Sequence, residues 1–303
     1  MFVEKYLREL RKRRFSPQAL YFYFVDVFTF SRETLFENRT LARSTLTTGL
    51  GFFLGFFAAS IMLSVFVDGK VANEFFLISS LSTLLVFAWL ILHLSLIRDI
   101  AGRPLQNFNA ANTLSLLRLL LVPGLFIFIV HGYGKLSLAT YLVASLSDVF
   151  DGIVARRFDQ RTRLGLMLDH LVDIFFNSFS FIALYIAGFV NEAIALLVIL
   201  RYALLLCGAF YIYVFRGPVR IQPTAFGKFS GLIVAVMVSL LILTKDFLSK
   251  PLADRILGLL GIGLVLIAAT NLIYVVIMGI YNLKEKRIEE VQIARVAGEK
   301  GAS

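Results

Sequence analysis

Long apolar runs most constrain how this chain can fold. A helix needs about 20 apolar residues to cross a hydrocarbon core about 30 Å thick. Stretches of that length recur along the sequence, and we predict transmembrane helices at residues 46–67, 75–97, 112–131, 136–155, 165–188, 192–215, 229–245 and 256–281. Hydrophobic residues make up 58% of the chain and charged residues only 17%, which excludes an ordinary soluble domain. The sequence therefore predicts an all-α, polytopic transmembrane helical bundle of about eight spans.

The distribution of positive charge predicts the orientation of this bundle. Eight spans place both termini on one side of the membrane, and 23 of the 30 lysine and arginine residues lie on that side. Five lie on the opposite side and two lie inside predicted spans. Because cytoplasmic loops carry an excess of lysine and arginine, we expect both termini to be cytoplasmic. The same asymmetry accounts for the net charge of +10 without a nucleic-acid partner.

The first 45 residues differ from the rest of the chain. They are basic and rich in aromatic residues, and their apolar stretch is too short to span a bilayer. We expect residues 1–45 to be a partly amphipathic segment that lies in the membrane interface. The chain has one cysteine, Cys207, so no disulfide can form within it.

Four aspartates are concentrated in the fourth and fifth predicted spans. Asp148 and Asp151 are three residues apart, and Asp169 and Asp173 are four apart, so each pair shares one helix face. An acidic residue inside a span costs about 2.5–3.5 kcal/mol and usually marks a functional site. The connecting segment is short, so we expect antiparallel neighbouring helices whose acidic faces meet near the cytoplasmic end.

The residue types around these aspartates indicate metal-assisted phosphate chemistry. Close carboxylates repel one another unless protons or cations compensate their charge, and an all-oxygen cluster suits Mg²⁺ or Mn²⁺. Gly152, Ala155 and Gly165 lie on the acidic faces and leave room for a bulky group. Arg156 places beside the site a cation that would suit a phosphate. A structural ion-pair network and a cation transporter are the alternative interpretations.

The spacing of these residues resembles a known signature. Asp148-x-x-Asp151-Gly152-x-x-Ala155-Arg156, followed after eight residues by Gly165-x-x-x-Asp169-x-x-x-Asp173, is similar to the motif of the CDP-alcohol phosphotransferase (CDP-alcohol phosphatidyltransferase) family. The resemblance extends to Asn112-Thr113-Leu114-Ser115, Arg118 and Gly227-Lys228. It covers residues 108–283 and implies a six-helix catalytic domain there. Residues 46–107 would then be two additional transmembrane helices, and residues 284–303 a charged cytoplasmic tail.

The resemblance implies a reaction and roles for individual residues. A hydroxyl group of an acceptor would attack the β-phosphate of a CDP-alcohol such as CDP-diacylglycerol, releasing CMP. One or two Mg²⁺ or Mn²⁺ ions would be bound by Asp148, Asp151, Asp169 and Asp173, and Asp173 would also be the general base. The CDP-alcohol would contact Asp148, Asp151, Gly152, Ala155, Arg156, Gly165 and Asn112. Membrane lipids are implied as partners, and family members are commonly homodimers.

The acceptor alcohol is left open by the sequence. A basic pocket for glycerol 3-phosphate or an inositol phosphate is predicted at Arg118, Arg201, Arg216, Arg220 and Lys228, with positive-inside anchoring as the alternative. Family members that use glycerol 3-phosphate often have an acidic residue after an arginine here, whereas this chain has Tyr202. Use of a CDP-amino-alcohol with a diacylglycerol acceptor is the remaining alternative within the family.

Overall fold

The computed structural model describes residues 16–94, 97–103, 105–216, 225–247 and 250–300. Within those ranges the chain forms nine α-helices and no β-strand, which confirms the predicted all-α class. The helices are α1 (Pro17–Glu37), α2 (Arg39–Phe66), α3 (Gly69–Leu92), α4 (Ala110–Val130), α5 (Gly134–Arg157), α6 (Arg163–Ile186), α7 (Glu192–Arg216), α8 (Ala225–Phe247) and α9 (Lys250–Lys300).

Helices long and apolar enough to cross a membrane account for most of the described chain. By length and composition these are α2, α3, α4, α5, Leu164–Ile186 of α6 and Pro251–Tyr281 of α9. The predicted spans 192–215 and 229–245 coincide with α7 and α8, and α8 contains the shorter apolar stretch Phe229–Thr244. A polytopic helical membrane protein is thus confirmed, while the number of eight spans stays a prediction.

Helices α4 to α9 pack in a ring. Helix α4 packs against both α5 and α6, α5 packs on α8, α6 packs on α7, and α7 and α8 both pack on α9. The prediction that the two acidic helices are direct neighbours is wrong, because α4 lies between α5 and α6 in this order of packing. The acidic faces therefore meet around α4, through Ser115 and Arg118, and not by direct helix packing.

Local sequence explains where several helices begin and end. Asp68 accepts hydrogen bonds from the backbone N–H groups of Lys70 and Val71 and caps α3. Asn109 caps α4 and Thr162 caps α6 through the same type of contact. After α4 the chain turns at Gly132, whose φ of 78° favours glycine.

The N-terminal helices are built into the same hydrophobic interior as the ring. One cluster of buried side chains joins α2 and α3 to α4 and to Leu164, Leu168 and Val172 of α6. Phe75 of α3 fits against Gly124 of α4, where an added Cβ would lie 2.7 Å from the ring. These contacts fix the α2–α3 hairpin against the outer face of α4.

Polar contacts also connect the N-terminal helices to the segment that enters α4. The Asn38 side-chain amide donates to the Leu105 carbonyl at 3.0 Å, and the Phe108 backbone N–H donates to Ser44 Oγ at 3.1 Å. Asp99 forms an isolated β-bridge with Thr162 at the start of α6. The start of α2 therefore lies at the same end of the bundle as the start of α4.

Helix α1 falls in the segment predicted to lie in the membrane interface. It packs on α3 through a hydrogen bond from Ser31 Oγ to the Ile91 carbonyl, and Tyr21, Phe24 and Phe28 are largely exposed. Aromatic side chains suit the membrane interface. The basic residues 1–15 of the same prediction lie outside the described residues, so the interfacial location stays a prediction.

Candidate active site

Two residues of α4 connect the four aspartates. The Ser115 hydroxyl lies 2.9 Å from Asp151 Oδ2 and 3.4 Å from Asp169 Oδ1, within donating distance of both. One helical turn further along, Arg118 Nη1 contacts Asp148 Oδ1 and lies 3.2 Å from Asp173 Oδ1. Each α4 residue thus links one carboxylate of α5 to one of α6, and the four aspartates surround one face of α4.

The aspartates differ in how much they are exposed. Asp151 is buried, whereas the side chains of Asp148 and Asp173 are about half exposed, at 50% and 53%. The Arg118 side chain between them is only 3% exposed. The cluster is therefore closed on the side of α4 and open on the side of Asp148 and Asp173, from which a substrate can approach.

The Arg118 guanidinium is the cation that this carboxylate cluster holds in the structure. It lies where Asp148 and Asp173 converge, so it offsets the charge repulsion between carboxylates. Within the described ranges, no three potential ligand side chains are close enough together to form a metal site as they stand. The carboxylates and the Ser115 hydroxyl are nevertheless hard oxygen donors, which is the donor set that Mg²⁺ and Mn²⁺ prefer.

Asn112 and Gly165 lie at the start of α4 and α6. Thr162 caps α6 by accepting from the Gly165 N–H at 2.8 Å, and its hydroxyl donates to Asn112 Oδ1 at 2.8 Å. An added Cβ on Gly165 would lie 2.9 Å from that same Asn112 oxygen. The space left by Gly165 is therefore filled by Asn112, so this glycine allows α4 and α6 to approach closely.

Gly152, Ala155 and Arg156 occupy the last turns of α5. An added Cβ on Gly152 would lie 3.2 Å from Arg156 Nη1, so the arginine side chain lies over the glycine. Ala155 is half-buried and Arg156 is exposed. The guanidinium is thus held one turn beyond Asp151, where it is accessible to an anionic group.

Several buried donors near the aspartates have no acceptor among the described residues. They are Nδ2 of Asn112 and both Nε and Nη2 of Arg118. A buried N–H group without a partner costs about 1–3 kcal/mol. An anionic ligand bound beside α4 would supply acceptors for these donors.

The predicted acceptor residues are placed unequally by the structure. Arg118 lies within the aspartate cluster. Arg201 is half-buried on α7, with its guanidinium carbon 4.9 Å from the centre of the Tyr202 ring and its Nε buried without a partner among the described residues. Arg216 belongs to α7 and Lys228 to α8, but the structure does not describe their side chains. Arg220 lies outside the described residues.

No role was predicted for Ser115 or Thr162, although Ser115 lies in the segment that resembles the family. Asn112, Ser115 and Arg118 are three residues apart, so they share one face of α4, and this spacing could have indicated a common site. Thr162 precedes α6 at the position of a helix cap, and that local role is readable from sequence. Its second bond, to Asn112, depends on how α4 and α6 pack.

Comparison with known proteins identifies relatives of the region that contains this site. The chain is 33% identical over 130 residues to CDP-diacylglycerol–glycerol-3-phosphate 3-phosphatidyltransferase of Aquifex aeolicus, covering 42% of this chain and 72% of that protein. It is 31% identical over 102 residues to human cardiolipin synthase (CMP-forming), covering 33% of this chain and 34% of that protein. A probable phosphatidylglycerophosphate synthase of Mycobacterium tuberculosis is 36% identical over 81 residues, covering 25% and 38%.

No solved structure gives a significant match to the chain. The family model of the CDP-alcohol phosphatidyltransferases matches residues 108–276, more than half of the chain. This region contains all of α4 to α8 and the four aspartates with their complete spacing. The chain therefore belongs to the CDP-alcohol phosphatidyltransferase family of membrane-embedded transferases.

Proposed function

We propose that this protein transfers the phosphatidyl group of CDP-diacylglycerol to glycerol 3-phosphate, with release of CMP. The observation that carries the proposal is the convergence of the complete aspartate set on Ser115 and Arg118 of α4. The choice of substrates rests on the names of relatives, among them the Aquifex aeolicus enzyme. A membrane-embedded site suits a donor that is part lipid and part nucleotide.

The chemistry of the transfer fits the open side of the aspartate cluster. The hydroxyl oxygen of glycerol 3-phosphate forms a bond to the β-phosphorus of CDP-diacylglycerol. The bond from that phosphorus to the bridging oxygen breaks, and CMP leaves with the electron pair. Asp173 takes the hydroxyl proton, because its half-exposed carboxylate can reach a bound acceptor.

The remaining residues hold the donor substrate. Asn112 and Arg118 present buried donors to its phosphates, and Arg156 adds a charge at the end of α5. Ala155 keeps the surface beside Asp151 low enough for the nucleotide, and Gly152 gives the Arg156 side chain room to lie beside it. Gly165 contributes indirectly, by letting Asn112 approach α6.

Divalent metal is a general requirement of this family, and the donor set fits it. Asp148, Asp151, Asp169 and Asp173 would hold one or two ions of Mg²⁺ or Mn²⁺. Such an ion, when bound, neutralises negative charge on the pyrophosphate. The Arg118 guanidinium lies between Asp148 and Asp173, where the negative charge of the two carboxylates favours a cation, and this supports the assignment.

The acceptor would be held by basic residues on the cytoplasmic side. Arg201, half-buried in an apolar helix, is the strongest candidate, since a charge in such a place usually has a function. Arg216, Arg220 and Lys228 complete the proposed pocket. The positive-inside distribution supports a cytoplasmic location for this site and both termini, and we propose a homodimer by analogy with the family.

An acceptor panel tests the proposal. Purified protein in mixed micelles is given radiolabelled CDP-diacylglycerol, Mg²⁺ or Mn²⁺ and, in turn, glycerol 3-phosphate, an inositol phosphate, serine or phosphatidylglycerol. We expect the fastest CMP release and a phosphatidylglycerophosphate product with glycerol 3-phosphate. A faster reaction with phosphatidylglycerol would assign cardiolipin synthesis instead, and reaction only between a CDP-amino-alcohol and diacylglycerol would also contradict the proposal.

A further inference from the structure

A groove on the N-terminal helices lies outside the proposed catalytic site. It has a volume of about 350 Å³ and is bounded by Leu35 of α1 and by a face of α2 formed by Arg39, Ala42, Arg43, Leu46, Thr47 and Leu50. Both helices precede the residues matched by the family model, which begin at 108. The groove therefore has no role in the proposed catalysis.

The groove is lined almost entirely by apolar surface, and two arginines flank one of its ends. Arg39 and Arg43 are one helical turn apart at the start of α2, and Leu46 and Leu50 continue the same face toward the middle of the span. Both leucines are more than half exposed, at 57% and 56%. From Arg39 to Leu50 the helix rises about 16 Å, which matches the reach from a phospholipid head group into its acyl chains.

The two arginines have no counter-charge in the described part of the chain. Neither forms a salt bridge there, although Glu33 and Glu37 are on the preceding helix. The Arg39 guanidinium carbon lies 6.0 Å from the centre of the Phe36 ring, which is a cation–π contact and not an ion pair. Both arginines are exposed. An anionic group from the surroundings would therefore find, at one end of the groove, two guanidinium groups that have no ion pair with any described residue.

The position of the groove along the membrane normal favours a lipid. Ser44 of α2 binds the Phe108 N–H, and Asn38 binds the Leu105 carbonyl, so this end of α2 is level with the entrance to α4. In the orientation proposed above this is the cytoplasmic face, where anionic lipids interact with basic residues of membrane helices.

We infer that this groove binds an anionic phospholipid of the surrounding membrane. The phosphate lies between Arg39 and Arg43, with the Thr47 hydroxyl nearby, and one acyl chain lies along Leu46 and Leu50. Two arginine contacts near a membrane surface together favour the anionic over a zwitterionic lipid about 30-fold. The site is separate from the proposed substrate site and needs no CDP-alcohol.

Native mass spectrometry of the purified full chain tests this inference. The protein is incubated with phosphatidylglycerol or phosphatidylcholine of matched acyl chains, without CDP-diacylglycerol. We expect Arg39→Gln/Arg43→Gln to bind one phosphatidylglycerol fewer than the wild type, with an affinity about 30-fold lower at that site. Because no substrate is present, failure here is distinguishable from failure of the catalytic proposal.

Two further variants control for charge and folding. Lys70→Gln/Lys135→Gln removes the same charge from exposed positions on α3 and α5 and should bind lipid like the wild type. Arg39→Lys/Arg43→Lys keeps the charge and should retain most of the binding. The inference would be overturned if both glutamine variants lost phosphatidylglycerol binding equally, or if the wild type showed no preference for phosphatidylglycerol. It would also be overturned if Arg39→Gln/Arg43→Gln changed the protein from a dimer to a monomer and left lipid binding unchanged.

Discussion

Replacing Ser115 by alanine removes the hydroxyl that joins the two halves of the aspartate cluster. Ser115 is buried, and its Oγ lies 2.9 Å from Asp151 and 3.4 Å from Asp169. Alanine is the better helix former, so α4 itself should not be weakened. The change therefore tests whether the position of these two carboxylates matters for catalysis.

The expected loss of activity in Ser115→Ala follows from the loss of one hydrogen bond. A hydroxyl has one proton and donates to one acceptor at a time. Three acceptors lie within reach of Ser115 Oγ, namely Asp151 at 2.9 Å, the Ala111 carbonyl at 3.2 Å and Asp169 at 3.4 Å, so the bond to the nearest, Asp151, sets the expected effect. A hydrogen bond to a charged group contributes about 1.5–3 kcal/mol. Since about 1.4 kcal/mol corresponds to a factor of ten in rate, we expect kcat/KM to fall about 10- to 100-fold.

The assay is the initial rate of CMP release at several concentrations of divalent metal. Ser137→Ala is the matched control, because Ser137 is equally buried and, among the described residues, its hydroxyl donates to the Tyr133 carbonyl of the preceding turn and to no carboxylate. We expect the control to keep its rate and Ser115→Ala to need more metal for half-maximal activity. A Ser115→Ala enzyme within twofold of the wild type at all metal concentrations would refute the reasoning.

Glycine positions provide the remaining predictions. Gly165→Ala places a Cβ 2.9 Å from Asn112 Oδ1, so we expect a loss of about 1–3 kcal/mol from overpacking and reduced activity, measured by thermal unfolding and CMP release. Gly124→Ala places a Cβ 2.7 Å from the Phe75 ring and should lower the unfolding temperature by loosening the α3–α4 contact. Gly51→Ala meets nothing within 4 Å and should be neutral or stabilising by up to about 1 kcal/mol; equal unfolding temperatures for all three variants would contradict the packing account.

Features that depend on neighbouring residues along one helix could be predicted from the sequence. The length of the apolar runs indicated a helical membrane bundle, and six helices of the described chain have the required length and composition. Spacings of three and four residues placed Asp148 with Asp151 and Asp169 with Asp173, and the structure brings both pairs to α4. The motif also indicated the family, which the comparison confirmed.

Features that depend on which helices pack together could not be predicted. The short connection suggested that α5 and α6 are neighbours, but a connection length does not say which third helix lies between them. Gly165 was interpreted as room for a ligand, whereas the space is filled by Asn112 of α4. The contacts of Arg118 with Asp148 and Asp173 could not be predicted, because its spacing in α4 gives no information about carboxylates of other helices; its role toward the acceptor stays a prediction.

The central claim is that the aspartates around α4 catalyse transfer from CDP-diacylglycerol to glycerol 3-phosphate. The most direct measurement is CMP release by purified wild-type and Asp173→Asn protein, with and without glycerol 3-phosphate and with and without divalent metal. The account predicts release that requires both the acceptor and the metal, equals the lipid product mole for mole, and is lost in Asp173→Asn. Absence of CMP release from the wild type, or undiminished release by Asp173→Asn, would contradict it.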